Sequence, residues 1–63
     1  MDVKAEVQRR KQGMISGQEL FGFLFEHLTR CPSESDTVLL ALQSDPEVSE
    51  LADQLEEMLR RRN

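Results

Sequence analysis

An all-α fold, a compact bundle of three to four short helices, is predicted by three observations. Helix caps punctuate the chain, apolar residues recur at helical spacing, and the one strand-like run has no second run to pair with. The expected helices cover residues 2–12, 16–30, 35–43 and 46–62, within a single helical domain spanning 1–63.

The first segment, 2–12, contains good helix formers but only a thin apolar stripe of Val3, Val7 and Ala5. Gly13 stands where a left-handed C-cap belongs. Arg9, Arg10 and Lys11 before it suit the negative end of a helix dipole. Ser16-Gly17-Gln18-Glu19 then matches a capping box, in which the serine oxygen accepts from the N3 amide and the glutamate reaches back to the N-cap amide. That helix ends near Arg30, because Pro32 cannot continue it and disfavours helical geometry at Cys31.

Ser33-Glu34-Ser35-Asp36 offers several caps for the short apolar run from Thr37 to Gln43. That run could be a buried strand by pattern alone, but an isolated strand leaves its backbone groups unpaired, so a helix is expected. Asp45 followed by Pro46 reads as an N-cap with proline at N1, opening a last helix at residue 46. In that helix Val48, Leu51, Ala52, Leu55, Met58 and Leu59 fall within an arc of about 120° and fit a short heptad seam. The second helix is broader. Leu20, Phe21, Phe23, Leu24, Phe25 and Leu28 cover roughly 200°, more than packing on one neighbour requires.

Composition narrows the function classes. All three aromatics are Phe21, Phe23 and Phe25, and the lone Cys31 cannot form an intramolecular disulfide, which favours a reducing compartment such as the cytoplasm. No apolar run approaches the roughly 20 residues needed to cross a bilayer, and the N-terminus lacks a signal-peptide pattern, so the chain is expected to be complete as written. The net charge of −4 is uneven: residues 31–59 hold eight acids and no Lys or Arg. Basic residues gather at the ends, as Lys4 with Arg9 to Lys11 and as Arg60 to Arg62.

Few residues could carry chemistry. His27 and Cys31 sit one helical turn apart, but two ligands are too few for a metal, and a Cys2His2 site would need two chains. His27 could instead titrate near neutral pH and tune an interface. His27 is the only histidine that could serve Cys31 as a base, and no third partner or oxyanion-hole glycine motif accompanies the two in the sequence, so no enzyme, cofactor or metal is expected. Arg9, Arg10 and Lys11 ahead of a turn and a capped helix are candidate nucleic-acid contacts in the manner of a helix-turn-helix. The helix that follows is mostly leucine and phenylalanine, and the acidic half repels phosphate.

The leading expectation is a small non-enzymatic regulatory or adaptor protein acting through protein binding, as a homodimer. Its candidate interface comprises Leu20, Phe21, Phe23, Leu24, Phe25, His27 and Leu28 from the second helix, with Val48, Leu51, Leu55, Met58 and Leu59 from the last. Three alternatives stand beside it. One is a nucleic-acid-binding regulator using the basic cluster, another is an acidic mimic that blocks a basic nucleic-acid-binding partner, and the third is a metal-bridged dimer in which two chains each supply His27 and Cys31.

Overall fold

Each helix of the computed structural model, which describes residues 3–62, starts or stops at a local chemical cue. Four α-helices, α1 (Val3–Lys11), α2 (Gly17–Arg30), α3 (Ser35–Gln43) and α4 (Ser49–Arg62), are joined by turns, with a 3-10 turn over Pro32–Glu34. No strand occurs among the described residues. The expected start of the first helix at Asp2 lies outside them.

Helix α1 closes with the glycine the sequence predicts. Gly13 takes φ +76°, its N–H donates to the Arg10 carbonyl at 3.1 Å, and the Met14 N–H donates to the Arg9 carbonyl at 2.9 Å. This pair of bonds is a Schellman cap. Helix α2 opens with the full capping box: Ser16 Oγ accepts from the Glu19 N–H at 3.1 Å while Glu19 Oε1 accepts from the Ser16 N–H at 3.1 Å. The following Gly17 is buried against Glu47, and a Cβ there would lie 2.8 Å from the Glu47 Cβ. Only a glycine lets α2 begin this close to the α3–α4 turn.

The start of the last helix and the cap of α3 differ from expectation. The last helix starts at Ser49, because residues 46–48 form a turn closed by the Val48 N–H donating to the Asp45 carbonyl at 3.1 Å. Asp45 does cap, but it caps that turn: Oδ1 accepts from the Glu47 N–H at 3.0 Å while the carboxylate also holds Arg10. The cluster ahead of α3 supplies no side-chain cap at all. Pro32 instead starts the 3-10 turn, which runs straight into the helix.

Packing centres on α2. Leu20, Leu24 and Leu28 are one turn apart and form a buried seam with Val3 of α1, Val38, Leu39 and Leu42 of α3, and Val48, Ala52 and Leu55. Arg10, near the end of α1, meets Asp45 just beyond α3, and the start of α2 meets Glu47. Neighbouring helices therefore alternate in direction, and α2 and α4 run the same way. The bundle has a Cα radius of gyration of 10.9 Å, close to the roughly 11 Å of a compact chain this long.

Truncating the seam tests its weight. Leu24→Ala, at a side chain with 0% exposure, should cost about 2–5 kcal/mol, enough to leave a domain this small largely unfolded in a thermal melt.

Candidate functional site

The broad apolar arc of α2 resolves into three strips. Its centre is the leucine seam, and the phenylalanines fall on both flanks: Phe21 and Phe25 on one side, Phe23 with His27 on the other. Phe21 and Phe25 stack at 6.1 Å between ring centroids, inclined by 23°. Phe21 and Phe23 are half-buried. Phe25 is 42% exposed.

Phe25 stands on the wall of a groove of about 480 Å³ lined by Phe25, Leu28, Thr29, Pro32, Ser35, Leu55, Met58 and Leu59. The groove lies among the end of α2, the Pro32 turn, the start of α3 and the second half of α4. Five of the residues proposed from sequence for an interface meet here: Phe25, Leu28, Leu55, Met58 and Leu59. Leu51 and Met58, one heptad apart on α4, are 43% and 59% exposed.

The other residues proposed for an interface divide differently. Leu20, Leu24 and Val48 are 0–1% exposed. They are core, not surface, because they share one cluster with Val38, Leu39, Leu42 and Ala52 and have no face left for a partner. Leu28 and Leu55 are also buried and reach the surface only as the groove's floor.

A wider groove of about 610 Å³ separates α1 from α3, lined among others by Val3, Val7, Leu40 and Ala41 with Lys4, Arg10 and Lys11 along its rim. Its apolar lining contains no aromatic, the side-chain type that most often anchors a protein partner.

The N-terminal basic cluster is largely engaged within the chain. Arg9 Nη1 lies 3.3 Å from Oε1 of Glu6, a buried carboxylate whose Oε2 has no hydrogen-bond partner. Arg10 Nε donates to Asp45 Oδ2 at 2.7 Å, and its Nη2 lies 3.6 Å from Glu47 Oε2. Lys11 is exposed. The hydrogen bond to Arg10 holds the Asp45 carboxyl below its ordinary 3.8, with the Glu47 amide acting in the same direction and burial opposing both. The same bond raises Arg10. This ion pair spans 35 residues of sequence and was not legible from spacing.

His27, Cys31 and Glu34 form a further cluster at the end of α2, of which the sequence spacing shows only the His–Cys pair. No helix among the described residues is long and apolar enough to cross a membrane. No protein-family model, curated protein or solved structure matches the chain.

The Asp45 pair sets a pH dependence. A carboxyl that titrates lower in the folded than the unfolded chain stabilises the fold above its ordinary value, near 3.8, and that contribution is lost as pH falls through the lowered one. Asp45→Ala should therefore flatten the decline in melting temperature between neutral pH and pH 3. At neutral pH the lost turn cap alone should cost about 1 kcal/mol, or roughly 4–8 °C in a domain this small.

Proposed function

We propose that this chain is a small, non-enzymatic regulatory or adaptor protein of the cytoplasm that acts by protein binding, and that its groove is covered by a second copy of itself. One observation carries the reading: Phe25, Leu28, Leu55, Met58 and Leu59 converge on a single groove whose walls include a phenylalanine and a methionine left open to solvent. Exposed aromatic and methionine side chains around a concave apolar floor are the usual anchors of protein interfaces.

Charge favours a second copy as the occupant. Helix α4 is preceded by Glu47, carries Glu50 and Asp53 early, and ends in Arg60 and Arg61. Two such helices packed antiparallel about a twofold axis place Leu51 of each copy opposite Met58 of the other. Arg60 and Arg61 then approach the Glu47–Glu50 stretch of the partner. A twofold interface must be self-complementary, and a helix acidic at one end and basic at the other meets that condition. The surface of 4547 Å² slightly exceeds the roughly 4,200 Å² of a compact monomer this size. About 800 Å² per partner would make a standard interface.

The nucleic-acid alternative draws less support, since Arg9 and Arg10 already face Glu6, Asp45 and Glu47. An acidic mimic remains compatible with the exposed Glu50, Asp53 and Glu57, but no built site accompanies them.

Light scattering and sedimentation at micromolar concentration should give twice the chain mass. Phe25→Glu and Met58→Glu should each return the particle to monomer with an unchanged far-ultraviolet helical spectrum. A wild-type particle that stays monomeric throughout removes the homodimer, and loss of helicity in Phe25→Glu would make Phe25 an ordinary core residue.

A further inference from the structure

At the end of α2 the chain brings together three different metal-ligating groups. His27 and Cys31 are one turn apart, and the Cys31 N–H still donates to the His27 carbonyl at 2.8 Å, so both project from one side of the helix. Pro32 then forces the chain over. In the 3-10 turn that follows, the Glu34 N–H donates to the Cys31 carbonyl at 3.0 Å, and Glu34 is carried back over the histidine. Its Oε2 lies 3.3 Å from His27 Nε2. The contact has ion-pair distance without hydrogen-bond alignment, so the enclosed Nε2 has no hydrogen-bond partner. One nitrogen, one sulfur and one carboxylate oxygen thus lie within 4.8 Å of one another.

We propose that His27, Cys31 and Glu34 bind a single transition-metal ion, zinc by the chemistry of the donors, with this chain alone supplying three ligands. Zinc bonds of about 2.0–2.3 Å at tetrahedral angles separate ligand atoms by roughly 3.3–3.8 Å. The His27–Glu34 separation already fits, and since all three ligand atoms lie within 4.8 Å of one another, no pair must close by more than about 1–1.5 Å to reach that spacing. A thiolate and an imidazole select a borderline-soft ion over calcium or magnesium, which prefer oxygen donors. Cys31 enters as thiolate and its proton passes to the buffer. Thiolate and carboxylate together offset the charge of the dication. The other charges beside the site, Glu26 and Arg30, pair with each other at 2.7 Å on the rim of a hollow of about 180 Å³ that His27 and Cys31 also line. Three protein ligands leave the fourth position to water.

This proposal stands apart from the dimer reading, because all three ligands belong to one chain and none lines the α2–α4 groove. The test uses the full chain, reduced and stripped with a chelator, then titrated with zinc and with cobalt. One zinc per chain is expected, and cobalt should give thiolate-to-metal charge-transfer absorption together with the visible bands of a tetrahedral ion. Cys31→Ser and His27→Gln should each weaken zinc binding at least 100-fold, since loss of even an outer-shell partner costs about 10–100-fold. Zinc that is not retained at micromolar concentration overturns the site, as does unchanged affinity in both variants. One zinc per two chains would instead mean a bridging pair of His27–Cys31 sets and overturns the single-chain site. The cobalt spectrum of the unaltered chain reads the thiolate directly, so the outcome does not depend on a variant folding.

Discussion

The leucine seam of α2 is the constraint on which the rest of the structure depends. Leu20, Leu24 and Leu28 are the only buried apolar residues on that helix, and α1, α3 and α4 all contribute side chains to the cluster they form. A chain of 63 residues cannot build a second core. Each helix must therefore meet this stripe, and whatever apolar surface lies beside it is left at the edge. The phenylalanines are the residues displaced. Two bulky rings flank the seam on one side and a third flanks the other, stacked or half-buried but never central. The groove beside Phe25 is a consequence of that economy, since α4 and the turn before it use Val48, Ala52 and Leu55 for the core and leave Leu51 and Met58 outside.

Helix α1 has the weakest claim on the seam. It contributes only Val3 to the fully buried cluster, with Val7 packed partly against it. An ion pair compensates at the opposite end of the helix, where Arg10 grips Asp45 and fixes α1 against the turn between α3 and α4. The carboxylate is almost fully covered, and its two oxygens serve Arg10 and the Glu47 amide together. A buried charge shared in this way is tolerated because both of its oxygens are bonded. Glu6 is less fortunate, with one oxygen facing Arg9 and the other lacking a partner. An element held by few apolar contacts and one polar latch is where local opening should begin.

These arrangements differ in how far they could be read from sequence, and the difference follows contact range. Gly13 and the Ser16–Glu19 box were legible because each cap is satisfied within five residues. The start of α4 was misplaced because Asp45 has two claims on its oxygens, one of them 35 residues away in α1. The width of the α2 arc signalled excess apolar surface but not its division, since periodicity fixes angles around a helix and not which neighbours arrive. Hence Leu20, Leu24 and Val48 were read as candidate interface when three helices enclose them. Glu34 was missed for a related reason. Nothing in the spacing of His27, Cys31 and Glu34 says that the proline turn will fold the glutamate back rather than carry it away.

The arginines separate what holds the fold from what remains available to a partner. Every arginine whose side chain is described has an acidic group within 4 Å: Arg9 with Glu6, Arg10 with Asp45, Arg30 with Glu26, Arg60 with Glu56 and Arg61 with Glu57. The pairs of Arg30, Arg60 and Arg61 are exposed neighbours on one helix, and such pairs contribute at most a few tenths of a kcal/mol. They can be traded for equivalent contacts across an interface at almost no cost. Arg10 cannot be traded, because releasing it leaves Asp45 covered and uncompensated. Under the dimer reading, salt should therefore act first on association, through the ends of α4, and only later on the fold itself.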